Sequence, residues 1–346
     1  MITQKERIQN DNHRKLWLDA IKGFAITLVI MSHTQGVPYI HGYLTACYMP
    51  LFFLASGFVY SDYAGSIARK LKLLLRSYLG WGCFYLLISI LFMSCTHFKL
   101  YKIGVWISGI SYSRFMIPAV RTDSTVLLFP HGAAPLWFLT CMAMSYLAFI
   151  PLIKANGRML ILFVLLYLVI SSIFVFSPYL LPWSLDTAFI GALLLYTGYR
   201  FKYISIKRNL KMLILVTCAL LYISLVYING SGNMSIRDYG VHSIWSVLLF
   251  PVIGVLGTIC YSIFFILVEK SWLCRSFAFL GRMSLTIMCA HMFCIMIFNM
   301  VYKFMTDGVY ELSSMILLPV RLLFVLLMCV VIHYLIVSIK KRINNT

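Results

Sequence analysis

Residues 17–33 read WLDAIKGFAITLVIMSH, and this stretch decides the class of the protein. It is an apolar run that carries Lys22 near its start and His33 at its end. Eleven positions at about 100° per residue make three turns and a small remainder, so both side chains lie on one helix face, roughly 16 Å apart. Asp19 falls on the same face, one turn before Lys22. Because ionisable residues in membrane helices are costly and usually functional, this face predicts a reaction path.

The composition predicts an all-α integral membrane protein. The 346 residues are 62% hydrophobic and 11% charged, whereas soluble domains have about 25% charged residues. The net charge of +19 lies between hydrophobic runs, as it does in cytoplasmic loops, and this argues against nucleic-acid binding. Most of the ten cysteines lie inside apolar runs, without CxxC pairs or Cys/His metal spacing, so we expect no metal site.

Hydropathy predicts about ten transmembrane helices in a single multi-pass domain over residues 1–346, with a polar cytoplasmic N-terminus at 1–15. The expected spans are 16–34, 43–61, 73–94, 134–153, 159–177, 185–200, 212–228, 241–267, 278–300 and 314–338. With the N-terminus inside, 22 of the 29 Lys and Arg residues fall on the cytoplasmic side. The positive-inside rule therefore predicts that both termini are cytoplasmic. The longest outside segment, 95–133, is either a cover over a cavity mouth or an ordinary solvated loop.

His33 is the first candidate for chemistry, because residues 23–34 contain no other titratable side chain. A neutral imidazole in a membrane helix can take a proton from a hydroxyl near neutral pH. The alternative is a structural histidine that is hydrogen-bonded to a neighbouring span.

Cations form a second candidate feature. We expect a basic collar at the inner face, made of Lys22, Arg69, Lys70, Lys72 and Arg76. Such a collar can bind a polyanionic cytoplasmic donor through charge-assisted hydrogen bonds. Its alternative role is to anchor the chain at the membrane surface and set its topology.

Further polar residues are candidates for lining a cavity. Ser56 follows Pro50 in the second span, and Trp137 opens the fourth span, where an interfacial aromatic is also expected. Ser284 and His291 are seven positions apart, about two turns, and so share a helix face. His291 is a second intramembrane histidine, with either a site or a structural role.

Together these residues resemble acyltransferase family 3, a family of bacterial membrane acyltransferases, and especially its short, fucose 4-O-acetylase-like members. The sequence WLDAIKG at 17–23 precedes His33 at the spacing of the family motif Arg/Lys-x10-His. The further matches are MPLFF at 49–53 with Ser56 and Gly57, the basic run from Arg69 to Arg76 with Tyr78, LWFL at 136–139, and Leu280-Gly281 with Ser284 and His291. The chain departs from the pattern at Ser77, where members often have Pro, and at Met288, where they often have Tyr.

The resemblance implies ten spans and an O-acyltransferase in a bacterial cytoplasmic membrane. Its donor would be acyl-CoA, most often acetyl-CoA, and its acceptor a hydroxyl of a surface polysaccharide or a lipid-linked sugar. His33 would be the catalytic residue, as general base or as transient acyl carrier. Lys22, Arg69 and Arg76 would bind the donor, and Asp19, Ser56, Trp137, Ser284 and His291 would line the cavity. No metal and no fused extracellular esterase-like domain are expected.

Two other functions remain open at this point. An exporter of polysaccharide or lipid-linked sugar would be expected to show paired broken helices or repeat symmetry, and the sequence shows neither. A non-catalytic membrane scaffold would tolerate the loss of His33. The sequence does not decide the acceptor, the acyl chain or the oligomeric state.

Overall fold

The computed structural model describes residues 15–33, 38–63, 65–94, 100–114, 135–177, 179–306 and 317–345. Within these ranges the regular secondary structure is helical, and the short 3₁₀ turns include Pro182–Ser184 and Met234–Ile236. The α-helices are α1 Leu16–Ser32, α2 Pro38–Thr45, α3 Tyr48–Phe58, α4 Ser66–Ser94, α5 Leu100–Tyr112, α6 Trp137–Lys154, α7 Gly157–Phe176, α8 Leu185–Phe201, α9 Arg208–Asn229, α10 Ser243–Leu267, α11 Trp272–Arg282, α12 Ser284–Met305 and α13 Leu317–Asn345.

Seven segments of these helices are long and apolar enough to cross a membrane: Ser66–Leu91, Trp137–Lys154, Gly157–Phe176, Asn209–Asn229, Ile244–Leu267, Ser284–Met305 and Leu317–Ile343. Helices α1 and α8 have 17 residues each, just below the length of those seven. The described residues therefore form an all-α, multi-pass membrane protein. The count of ten spans and the cytoplasmic termini stay predictions.

Helix α1 lies at the centre of the helix packing. It contacts α3, α10, α11, α12 and α13, and its residues from Ala25 to Ile30 are all buried. Helix α3 is nearly as enclosed, with every residue from Met49 to Ala55 buried. Because lipid leaves the outer faces of peripheral helices exposed, this burial means that the predicted first and second spans lie inside the bundle and away from lipid.

Backbones touch directly where α3 meets α8. A Cβ atom added at Gly57 would lie 1.9 Å from the Leu195 carbonyl oxygen, and one at Gly198 would lie 2.0 Å from the Leu54 carbonyl oxygen. Small residues allow this approach between membrane helices, where dispersion contacts replace the hydrophobic effect as the driving force.

The predicted second span, 43–61, is interrupted. Helix α2 ends at Thr45, residues 46 and 47 form a turn, and α3 begins at Tyr48. Pro50 explains the interruption, because it has no N–H to bond the carbonyl of Ala46. The sequence places Pro50 inside a span, but the structure places it in the first turn of α3, where its missing donor costs little.

The predicted ninth span, 278–300, is also wrong at its start. Helix α11 ends at Arg282, Met283 has φ −104° and ψ 6°, and α12 begins at Ser284. The helix is interrupted here, next to the point where α11 packs against α1 through Gly281. Arg282 and Ser284 therefore lie on different helices.

Candidate active site

Two histidines that are far apart in sequence meet in the structure. The ring centroids of His33 and His291 are 5.3 Å apart, with an angle of 35° between the ring planes. His33 directly follows α1, where its N–H bonds the Ile30 carbonyl at 3.1 Å, and the residue is exposed. The helix thus ends two residues before the end of the predicted span, 16–34, and His33 lies in the turn that closes it.

The surroundings of His291 define which of its nitrogens is available. The residue is completely buried, and its Nδ1 lies 2.8 Å from the Met288 carbonyl oxygen and 3.2 Å from that of Ile287. Carbonyl oxygens only accept hydrogen bonds, so Nδ1 carries the hydrogen and Nε2 keeps its lone pair. Within the part of the chain that the structure describes, Nε2 is buried and has no hydrogen-bond partner. An unsatisfied buried acceptor is unfavourable for stability, which makes this nitrogen a candidate for chemistry.

Helix α4 holds this region of α12 from the other side. The Tyr85 hydroxyl donates to the Cys289 carbonyl at 2.6 Å, and the ring of Phe84 packs edge-on against Phe293 at 5.1 Å between centroids. The helical turn that carries His291 is thus fixed from two sides, by α1 and by α4.

A charged cluster occupies the opposite end of α1. Asp19 is only 3% exposed, and its Oδ2 lies 4.0 Å from Nε of Arg282. Lys22 follows one turn later on the same face and is half-buried. The cluster has one acidic and two basic members, and it lies about 21 Å from His33 along the helix axis.

Glycines fix the position of α11 against this end of α1. A Cβ atom at Gly23 would lie 1.8 Å from the Phe277 carbonyl oxygen, and one at Gly281 would lie 1.8 Å from the Asp19 carbonyl oxygen. Neither position accepts a side chain without displacing backbone. The close contact between the two helices is what brings Arg282 to Asp19.

The remaining basic candidates lie at two levels of α4. Arg69 is exposed in the first turn, with its guanidinium 5.1 Å from the centre of the Tyr63 ring. Arg76 is exposed two turns later, beside Tyr78, whose hydroxyl donates to the Ile110 carbonyl on α5. Arg69 and Arg76 are therefore about 10 Å apart along α4, and the collar stays a prediction.

The other expected cavity residues lie on α3, α6 and α12. Ser56 is half-buried on α3, beside Tyr146. Trp137 is the first residue of α6, and its carbonyl accepts a hydrogen bond from the Thr140 hydroxyl at 2.9 Å. Ser284 is the first residue of α12, about 10 Å from His291 along that helix.

A buried ionic cluster was missed by the sequence analysis. The Asp186 carboxylate accepts both hydrogen bonds of the Arg114 Nη2 group at 2.6 Å and one from Arg237 Nη1 at 2.8 Å. All three side chains are at most 1% exposed. Burial lowers the pKa of the Arg237 guanidinium, and Asp186 opposes this effect. The cluster joins α5, the start of α8 and the segment before α10.

Strained backbone conformations occur at and near the Asp186 cluster. Among the described residues, the non-glycine positions with positive φ are Ser113, Trp183, Ser184 and Arg237, and each belongs to this cluster or adjoins one of its members. Such conformations are unfavourable and persist where surrounding contacts impose them. In the sequence, only Asp186 indicates the cluster, because an acid within an apolar stretch must be paired. The sequence does not identify its two partners.

No group of three or more His, Cys, Asp or Glu side chains within the described ranges could hold a metal ion. The candidate site consists of a histidine pair at one end of α1 and a charged cluster at the other.

These features define a multi-pass membrane protein in which a buried and an exposed histidine meet at one end of a central helix. The chain matches the acyltransferase domain that defines acyltransferase family 3 over residues 15–338. It belongs to this family and is a membrane acyltransferase. No curated protein and no solved structure matches it at a significant level.

Proposed function

We propose that the protein is an O-acetyltransferase that moves an acetyl group from cytoplasmic acetyl-CoA to a hydroxyl of a surface polysaccharide or a lipid-linked sugar. It would work in the cytoplasmic membrane of a bacterium with both termini inside. The observation that carries the proposal is the contact between His33 and His291, at 5.3 Å between ring centroids, at the far end of α1 from Asp19, Lys22 and Arg282.

The length of α1 suits a coenzyme A donor. In such a molecule a long flexible arm separates the phosphates from the thioester, so the anionic end and the reacting carbonyl must bind far apart. The cationic cluster at the start of α1 would hold the phosphates through charge-assisted hydrogen bonds. The histidine pair, about 21 Å away along the helix, would receive the thioester.

Acyl transfer requires that a proton leave the acceptor hydroxyl. In the general-base route, the acceptor oxygen attacks the thioester carbon, the C–S bond breaks, and the hydroxyl proton passes to an imidazole nitrogen. That proton then moves to the thiolate, which leaves as free coenzyme A.

In the acyl-carrier route, an imidazole nitrogen attacks the thioester carbon and the C–S bond breaks. The imidazole loses its N–H proton to the departing thiolate. The acceptor hydroxyl next takes the acyl group from the acylimidazole and returns its proton to the ring. Both routes use the same histidine pair and remain alternatives.

The two histidines are suited to different roles. His33 is exposed in the turn after α1, so substrate can reach it. His291 is buried, with a fixed Nδ1–H and an available Nε2. We propose that His33 faces the substrate. His291 would orient His33 and accept its proton.

Transfer of label from acetyl-CoA tests the proposal. Membranes that contain the protein are incubated with [¹⁴C]acetyl-CoA, and label is measured in the glycolipid and polysaccharide fractions. We expect protein-dependent, alkali-labile label in one of them. Translocation of glycan without label would instead support an exporter, and an unchanged acetyl content of surface glycans in cells lacking the protein would contradict the proposal.

A second experiment separates the roles of the two histidines. His291→Gln keeps a hydrogen-bonding group of similar size but removes the proton acceptor, and we expect it to lower kcat with little change in the donor KM. A His291→Gln protein with wild-type kcat would remove His291 from the mechanism and leave His33 to act alone.

A further inference from the structure

Helix α11 presents two neighbouring stripes of side chains, one buried and one exposed. Cys274, Ala278 and Gly281 are buried against the protein. One position further round, Arg275, Phe279 and Arg282 follow the i, i+4, i+7 spacing and therefore share a face. Both arginines are exposed, and Phe279 is 43% exposed. We call Arg275, Phe279 and Arg282 the α11 stripe.

The stripe places an aromatic ring between two guanidinium groups. Arg275 and Arg282 are seven residues apart, about 10 Å along the helix, with Phe279 between them. A shallow depression beside the ring is lined by Arg275, Ser276, Phe279 and Leu280. Guanidinium groups bind phosphate in a bidentate manner, and an aromatic face accepts a stacked nucleobase. The arrangement fits a ligand that carries phosphates on either side of a base.

The position of the stripe connects it to the candidate site. Arg282 lies 4.0 Å from Asp19, and the contact between Gly23 and Gly281 fixes α11 across the start of α1. The Trp17 N–H donates to the Glu269 carboxylate at 3.4 Å, so the segment that leads into α11 lies at the same end of α1. On the predicted topology this end is cytoplasmic, where nucleotide-bearing thioesters occur.

We propose that the α11 stripe binds the phosphorylated adenosine end of the acyl-CoA donor, with Phe279 stacked on the adenine ring and Arg275 and Arg282 on the phosphates. This inference rests on the proposed function and adds residues that the basic-collar interpretation did not assign to the donor. Phosphate chemistry is shared by lipid headgroups, and the experiment distinguishes the two sources.

A comparison of two donors tests the stripe. Initial rates are measured with acetyl-CoA and with acetyl-dephospho-CoA, which lacks the 3′-phosphate, for the wild type, Arg275→Gln and Arg282→Gln. We expect the wild type to have a KM about tenfold lower for acetyl-CoA, since one charge-assisted contact has about that effect. In at least one variant that preference should disappear while kcat is kept.

Arg158→Gln is the matched control, because Arg158 is an exposed cation on α7 on the same predicted side of the membrane. It should leave both KM values unchanged. Arg275→Gln keeps the test informative if Arg282→Gln misfolds. The Arg275 guanidinium donates to the Lys270 carbonyl at 3.1 Å, whereas Arg282 contacts the buried Asp19.

Binding of adenosine 3′,5′-bisphosphate to the purified protein gives a readout independent of acyl transfer. We expect calorimetric binding that weakens about tenfold in Arg275→Gln and in Phe279→Ala. Wild-type binding in these variants, together with an unchanged donor preference, would overturn the inference even if acetyl transfer itself were demonstrated. A loss of activity that is equal for both donors and depends on the anionic lipid content of the vesicles would also overturn it, in favour of a membrane contact.

Discussion

At the scale of single residues, Asp19 has a charged neighbour from a distant part of the sequence, whereas the tautomer of His291 is set within its own helix. Asp19 is buried beside Arg282, 263 positions away, at 4.0 Å. His291 has its tautomer set by the carbonyls of Ile287 and Met288. The environment of Asp19 therefore depends on helix packing and the tautomer of His291 on α12 itself, so α1 alone would supply neither.

Lys22 gives the first prediction at this scale. Lys22→Ala should raise the KM for acyl-CoA about ten- to a hundredfold, because one charge-assisted contact contributes roughly 1.5–3 kcal/mol. The acceptor KM should stay unchanged. Arg76→Ala, at the second cation expected to bind the donor, should change the donor KM in the same direction. Steady-state kinetics with varied donor measure both, and an unchanged donor KM for Lys22→Ala would leave that residue a topological role.

The sequence identified His33, His291, Lys22 and Asp19 individually, because ionisable groups stand out in apolar runs. It could not show that His33 meets His291, since the contact joins positions 258 residues apart. Nor could it show which acids Arg114, Arg237 and Arg282 contact. Their pairing with acids depends on loops that hydropathy does not describe.

At the scale of secondary-structure elements, the α1–α11 contact leaves no room for a side chain at Gly23 or Gly281. Gly23→Ala should lower the thermal stability of the purified protein, because the new Cβ would lie 1.8 Å from the Phe277 carbonyl oxygen. Overpacking of this kind typically costs about 1–3 kcal/mol. The control is Gly80→Ala, where nothing lies within 4 Å of the new atom. Equal melting temperatures for the two variants would contradict the contact.

The cluster around Asp186 gives a second prediction at this scale. Asp186→Asn leaves two buried guanidinium groups without their carboxylate, and breaking a buried ion pair costs about 3–5 kcal/mol. We expect a large drop in melting temperature or in folded yield. Asp62→Asn, at an exposed acid that accepts from the Tyr199 hydroxyl, should change stability by about 1 kcal/mol or less. A stable Asp186→Asn protein would show that the cluster does not hold α5 and α8 together.

Element boundaries show where hydropathy is sufficient and where it fails. It found a helix in each of the ten expected ranges because each apolar run must satisfy its backbone internally. It missed the turn at residues 46 and 47 and the break at Met283. The turn depends on the missing N–H of Pro50, and the break lies next to the contact between α11 and α1. Neither feature changes the average hydropathy of its segment.

At the scale of the whole molecule, orientation follows from charge. With 22 of 29 cations on the cytoplasmic side, a fluorescent protein fused after Thr346 should fluoresce, and an alkaline phosphatase fused there should be inactive. The same phosphatase inserted after Gly232, in a predicted outside loop, should be active. An active phosphatase after Thr346 would contradict the ten-span topology and the cytoplasmic position of the α11 stripe.

The central claim is that His33 carries out acyl transfer, and His33→Gln tests it most directly. The measurement is the initial rate of [¹⁴C]acetyl transfer from acetyl-CoA into the glycan fraction by membranes with equal amounts of folded protein. His242→Gln is the matched control, because His242 is exposed and contacts the Ile228 carbonyl. Glutamine keeps the size and hydrogen bonding of histidine but cannot take a proton, so His33→Gln should lose about 10²- to 10⁴-fold in rate, while His242→Gln stays near wild type. A His33→Gln protein with a near-normal rate would contradict the account and make His33 a structural residue.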